Sequence, residues 1–98
     1  MIRDLFLGFI RIHIVHHAAK EPIYGLWLIE ELNHHGYKVG PGTLYPTLHK
    51  LEQDHYLKSY KENHEGKIRR YYKATPKGHR MLSEAKKKIE ILVEEIDL

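Results

Sequence analysis

The chain contains no cysteine. That excludes a disulfide framework, a thiolate metal site and a cysteine nucleophile. It also lacks any run of roughly 18 apolar residues, the length a membrane-spanning helix requires. The start, Met1-Ile2-Arg3-Asp4-Leu5, does not open a secretory signal. Arg11, His13 and the pair His16-His17 break the apolar stretch, and no small-residue cleavage site follows. A cytoplasmic location with no membrane partner is expected. Internal repeats and low-complexity linkers are missing, so 98 residues read as one domain with a modest core. Enzyme signatures are equally scarce. There is no nucleophile elbow and no His-Glu-x-x-His, and Gly40-Pro41-Gly42 lacks the rest of any phosphate-cradling loop. Ser59 and Ser83 have no evident activating neighbour. Neither enzymatic activity nor a resident cofactor is expected.

What the chain does have is unevenly placed charge. The formal net charge is +3, yet residues 1–55 carry −1, residues 56–90 carry +7 and residues 91–98 carry −3. The basic stretch suits contact with phosphate. A solvated helix face explains part of it.

Apolar spacing predicts a helix from Ile2 to about Ala19. Leu5, Phe9, Ile12 and His16 share one row, and Phe6, Ile10, His13 and His17 another. So broad an apolar surface suggests burial on two sides, against the core and against a partner subunit. Pro22 then suits the first turn of a second helix, where its missing N–H costs nothing. That helix should run to about His35, with Leu28 and Leu32 as a core pair, Gly25 at a close approach and Gly36 past its end. A third helix is expected from about Pro41 to Asp54, with Leu44, Leu48 and Leu51 buried. Pro46 is tolerable there if regular hydrogen bonding starts near Thr43, or else it kinks the helix. Leu57–His64 and Lys67–Ala74 read as an antiparallel hairpin turning at Glu65-Gly66. Its second strand should turn Ile68, Arg70, Tyr72 and Ala74 inward and Arg69, Tyr71 and Lys73 outward. Thr75-Pro76 is an N-cap followed by a first-turn proline, and the last helix should run nearly to Leu98.

That last helix carries the clearest periodicity. Leu82, Ala85, Ile89, Leu92 and Ile96 recur at spacings of 3, 4, 3 and 4, which is the seam of a coiled coil. Packing between subunits is preferred to packing within the protomer, because so small a domain has little core left to receive a second seam. The predicted architecture is mostly α, within the α+β winged helix-turn-helix class. It has three N-terminal helices, a two-stranded wing and a long C-terminal dimerisation helix. Residues 1–75 would form the DNA-binding domain and residues 76–98 the dimerisation helix.

The motifs, taken in order, resemble the PadR family. Glu21-Pro22-Ile23-Tyr24-Gly25 is similar to the family's turn into its second helix. Pro41-Gly42-Thr43-Leu44-Tyr45-Pro46, with Leu48 and Leu51-Glu52, resembles its recognition-helix signature. Arg69-Arg70-Tyr71-Tyr72 with Thr75 and Gly78 resembles its second wing strand and the approach to the dimer helix. The resemblance covers about residues 5–90. It implies a homodimeric winged-helix transcription regulator, usually a repressor released by a small molecule, of the short branch with one C-terminal helix. Three positions depart from the family pattern. Leu26 stands where a tyrosine is usual, Gly40 replaces the usual serine cap, and His55 stands where glycine is frequent and would be strained if φ must be positive there.

Site residues follow from the faces. With its leucines buried, the third helix exposes Thr43, Tyr45, Thr47, His49 and Lys50. Gly42 lets the backbone N–H groups at the helix start approach a phosphate. Tyr45 suits a phosphate or sugar, Thr43, Thr47 and His49 suit base edges, and Lys50 suits a phosphate. Lys67, Arg69 and Arg70 supply the wing's charge for duplex operator DNA. Trp27, with Tyr24 and Phe9, would wall an apolar pocket for a flat hydrophobic effector, although ordinary packing between the first two helices is the preferred account. His13 and His17 at i, i+4, with His16 beside them, have the spacing of zinc or nickel ligands. Polar tips at the edge of an apolar helix are the preferred account of those three. Two alternatives to an effector-controlled repressor remain: a metal-responsive regulator, and a winged-helix adaptor that has lost DNA binding.

Overall fold

The structure is a computed structural model that describes residues 1–97. In order along the chain lie α1 (Ile2–Lys20), β1 (Ile23–Tyr24), α2 (Gly25–His34), α3 (Pro41–Gln53), β2 (Leu57–His64), β3 (Lys67–Ala74) and α4 (Pro76–Asp97). Leu98, the expected end of the last helix, lies outside the described residues. One core unites the first three helices with the base of the hairpin. Ile14 and Val15 of α1, Leu28 and Leu32 of α2, and Leu44 and Leu48 of α3 are fully buried in it.

On α1 the core row is Ile10, Ile14, Val15 and Ala18, which shares only Ile10 with the two rows read from the sequence. Ile2, Leu5 and Phe6 stay exposed, because the first turns of α1 overhang the core that its second half covers.

The second helix starts later than predicted. Pro22 does not open it. Ile23 and Tyr24 instead form a short strand antiparallel to β3, pairing with Tyr72 and Tyr71, and the sheet order is β1-β3-β2. Burial of Ile23 at 3% exposure, together with ladder hydrogen bonds to β3, outweighs an extra helical turn. The two-stranded wing is present as expected, with β1 added at its base. Gly36 has φ +90, the left-handed backbone that ends a helix. The α2–α3 turn is stitched by Asn33, whose side-chain amide donates to the Val39 carbonyl (3.1 Å) and accepts from the Val39 N–H (3.3 Å).

Helix α3 starts at Pro41, as expected. Gly40 caps it, with its carbonyl accepting from the N–H groups of Thr43 (3.2 Å) and Leu44 (3.0 Å). Bonding starts at Thr43, yet Pro46 lies past the first turn, inside the helix. The Gly42 carbonyl is thereby denied its N–H partner. The buried row Leu44, Leu48 and Leu51 holds the helix against that loss.

The hairpin occupies the expected residues, from Leu57 opposite Ala74 to His64 opposite Lys67. Glu65 and Gly66 both have positive φ (51 and 82), as a two-residue type I′ turn requires. The inward face is shorter than expected. Tyr72 is buried and Ala74 half-buried, but Ile68 is 75% exposed and Arg70 is exposed. Only the base of the wing reaches the core, and the tip extends beyond it.

A compact corner aims α4. The Thr75 hydroxyl accepts from the Gly78 N–H (3.0 Å) and donates to the His55 carbonyl (2.5 Å). Gly78 packs so closely on the Tyr56 carbonyl that a Cβ there would collide with backbone. His55 itself has φ 65. Past this corner α4 leaves the protomer. Leu82 and Ala85 are half-buried, and exposure rises along the seam to 54% at Leu92 and 72% at Ile96.

The left-handed backbone at His55 sets a stability test. A non-glycine residue there costs about 1–2 kcal/mol, and glycine returns part of that gain as unfolded-chain entropy, about 0.4–1 kcal/mol. His55→Gly should therefore raise the melting temperature by roughly 2–6 °C for a chain of this size, measured at fixed protein concentration by thermal denaturation. An unchanged or lower value would show that the His55 side chain has a compensating contact.

Candidate nucleic-acid interface

With Leu44, Leu48 and Leu51 turned inward, α3 presents Gly42, Thr43, Tyr45, His49 and Lys50 to solvent. Thr47 is half-buried, and its hydroxyl donates back to the Thr43 carbonyl (2.7 Å). Its oxygen can still accept, but its proton is engaged. Lys50 pairs with Asp54 at 3.4 Å, an exposed i, i+4 contact worth only about 0.3–0.5 kcal/mol and easily given up to a phosphate.

Tyr45 is placed by a glycine on the neighbouring helix. A Cβ at Gly25 would lie 2.6–2.8 Å from the Tyr45 ring and hydroxyl, so the bare backbone at the start of α2 makes room for the ring. The close approach read into Gly25 is thus a contact between α2 and the exposed stripe of α3.

In the wing, the Arg69 guanidinium sits 4.1 Å above the Tyr24 ring. Tyr24 meets Tyr71 edge-on at 5.7 Å, and Tyr71 stacks on Tyr60 at 5.7 Å. The ring's electrostatic attraction holds the cation over its face. Arg70 is tied in the other direction. It donates to the Ser59 hydroxyl (2.8 Å), which donates to the Glu52 carboxylate (2.6 Å) at the end of α3. This network locks the wing to α3 while leaving Arg70 exposed. Lys67 stands exposed at the tip.

These parts converge on an open cleft of about 390 Å³ lined by Tyr24, Gly25, Leu26, Tyr45, Ile68, Arg69, Arg70 and Tyr72. The structure thus brings Tyr45, Arg69 and Arg70 together. Thr43 lies on the far side of α3, in a hollow shared with Arg3 and Lys38. Arg3 and Lys38 were not singled out from the sequence, where they are ordinary isolated cations. Ile68 read as inward and Leu26 only as a departure from the family pattern, yet both are exposed beside Tyr45 and Arg69.

Phe9, Tyr24 and Trp27 do not share a cavity. Tyr24 lies under Arg69, and Trp27 is half-buried edge-on to His17 at 5.3 Å. Phe9 lines a groove of about 350 Å³ between α1 and α4, with Ile12, His13, His16, Leu82 and Ile89 among its walls and Lys86 and Glu90 at its edge. The three histidines stay together, with His16 edge-on to His17 at 5.0 Å, but face different neighbours. His16 faces that groove, whereas His17 faces Glu31 and His35 of the α2 end. His13 stacks on both His17 (6.4 Å between centroids) and His35 (5.8 Å). Burial is the main cause holding the His13 and His17 pKa values below the usual imidazole value, with neighbouring histidines adding to it.

A tight helix–turn–helix pair flanked by a basic hairpin defines a winged helix-turn-helix DNA-binding protein, in which the second helix of the pair suits the major groove. The model of the transcriptional regulator PadR-like family matches residues 14–84. The chain is 46% identical to the transcriptional regulator Rv3488 of Mycobacterium tuberculosis over 95 residues, covering 97% of this chain and 89% of that protein. A PadR family transcriptional regulator from Eggerthella lenta superposes with a TM-score of 0.84 at 31% identity, over 98% of this chain and 85% of that one. One from Clostridium difficile superposes with a TM-score of 0.86 at 27% identity, over 92% and 96%. This chain belongs to the PadR-like family of transcriptional regulators. Membership places it among DNA-binding regulators and not among enzymes. Among the described residues no helix is long and apolar enough to cross a membrane.

The Gly25–Tyr45 contact can be tested directly. Gly25→Ala should push the exposed Tyr45 ring aside and weaken DNA binding roughly tenfold, the scale of one charge-assisted hydrogen bond. Tyr45→Ala should do the same, and neither should change the oligomeric state by light scattering. Full affinity in both variants would remove Tyr45 from the interface.

Proposed function

We propose that this protein is a homodimeric repressor that reads a duplex operator with α3 and the wing of each protomer, and that a small apolar molecule releases it. The observation that carries this reading is the shared cleft of Tyr45, Arg69 and Arg70 beside the exposed face of α3. Phosphate-directed groups occur there on two elements that a network through Ser59 and Glu52 holds in register. Gly42, Thr43, His49, Lys50 and Lys67 extend the contact along the helix and to the wing tip. Residues 1–75 form the DNA-binding unit and residues 76–98 the dimerisation helix in this reading.

The dimer is supported by surface that the protomer leaves uncovered. Of the stripe Leu82, Ala85, Ile89, Leu92 and Ile96, the last three are exposed, and Ile2, Leu5 and Phe6 of α1 are exposed as well. Leaving so much apolar surface in water is unfavourable by about 25 cal/mol per Å². The α1–α4 groove that holds Phe9 suits an apolar effector, since Ile89 lines the groove and also belongs to the seam. Occupancy there would bear on how the two protomers meet. The adaptor reading has no use for the basic cleft.

Binding to duplex DNA from upstream of its own gene, titrated at two salt concentrations with competitor DNA, tests the central claim. Competitor-resistant affinity should fall with salt with a slope of about −0.9 per phosphate contacted. No binding at low salt by a folded dimer would sink the repressor reading. Ile89→Asp would place a charge in the seam and should weaken the dimer by on the order of 100-fold, matching a burial cost of about 3 kcal/mol. A dimer that persists in sedimentation or light scattering would move the interface away from α4.

A further inference from the structure

We propose that a divalent transition-metal ion of the zinc class binds between α1 and the end of α2, held by His17, Glu31 and His35. This assigns to metal control, the second reading of function, a ligand set that α1 alone does not supply. The site stands whether or not the chain binds an operator.

One ligand atom from each of the three side chains lies within 4.8 Å of the others. Two of them are already in contact, with His35 Nε2 and Glu31 Oε1 at 2.9 Å. Around tetrahedral zinc, with bonds near 2.0–2.1 Å, neighbouring ligand atoms stand roughly 3.3 Å apart. Small rotations of side chains at the surface of two fixed helices therefore close the set.

A second observation points to a ligand independently. His17 Nε2 is buried and has no hydrogen-bond partner, although it lies beside a carboxylate and another imidazole. A buried polar nitrogen left unsatisfied is unfavourable. A cation accepted by that nitrogen satisfies it and also neutralises Glu31. Glu31 and His35 are partly exposed, with side-chain exposures of 28% and 45%, so the ion has a path from solvent.

The chemistry of the donors selects the ion. Two imidazoles and one carboxylate suit zinc, nickel or cobalt, whereas magnesium and calcium prefer all-oxygen sets. His13 packs on both His17 and His35, which makes it the further imidazole placed against both histidine ligands for a fourth position. The i, i+4 pair His13/His17 on α1 then faces the i, i+4 pair Glu31/His35 of α2, a two-helix arrangement of the kind that holds metals in helical bundles.

The test uses the full-length protein, stripped with chelator and dialysed. Zinc titrated calorimetrically should bind at one ion per chain, and magnesium should not bind. Cobalt should give the intense visible absorption of a four-coordinate nitrogen/oxygen site, abolished by added zinc. Glu31→Gln and His35→Ala alter partly exposed side chains and should each lower zinc affinity at least roughly tenfold, since even supporting residues around a metal cost about 10–100-fold. His64→Ala, at the wing tip, should change nothing. Absence of stoichiometric zinc binding by the wild type would overturn the proposal. So would unchanged affinity in Glu31→Gln and His35→Ala, because the zinc would then sit on other histidines. The wild-type stoichiometry and cobalt spectrum decide the matter even if a variant proves unstable.

Discussion

The packing of Leu44, Leu48 and Leu51 on α3 against Leu28 and Leu32 on α2 is the constraint from which the rest of the molecule follows. A helix has one hand and 3.6 residues per turn, so burying one row determines what the opposite face shows. On α3 that face holds Tyr45 and His49. The same packing brings the start of α2 beneath Tyr45, which is why the second helix opens on a glycine. Strand β1, just before it, is drawn into the sheet and carries Tyr24 under Arg69. Recognition helix, wing and the strand between them are thus parts of one packed unit.

The core is small, and its limits are as informative as its contents. It reaches only the base of the wing and the first turns of α4, leaving Ile68, Leu92 and Ile96 outside. At the wing this leaves an apolar residue among arginines, beside the helix that suits a groove. At α4 it leaves the far end of a seam at coiled-coil spacing, Leu92 and Ile96, uncovered within the protomer. The corner of His55, Tyr56, Thr75 and Gly78 separates the two regions. A strained residue, a close backbone contact and a side-chain cap together set the direction in which α4 departs.

Most of the architecture was legible because its signals are local. The hairpin was readable to the residue from alternating strands around Glu65-Gly66, and the Thr75-Pro76 cap from its own chemistry. The seam of α4 needed only periodicity. The misplacements share a different character. Pro22 looked like a helix start because its true competitor, Tyr72 on β3, lies far along the chain. Ile68 looked inward because strand alternation cannot say where a core ends. Phe9, Tyr24 and Trp27 looked like one aromatic wall, but α1 and the base of the wing point them to three different surroundings.

The sequence by itself determined the helices and the hairpin, their order, the buried leucine rows and the exposed stripe of α3, since each depends on spacing along a few turns of chain. Tertiary structure alone decided which side chains from different elements meet. It set Arg69 over Tyr24, linked Arg70 through Ser59 to Glu52, and brought His17 together with Glu31 and His35. Those contacts depend on the angles at which helices and wing pack around the core. No local pattern encodes such angles, because they result from fitting all the apolar rows into one small volume at once.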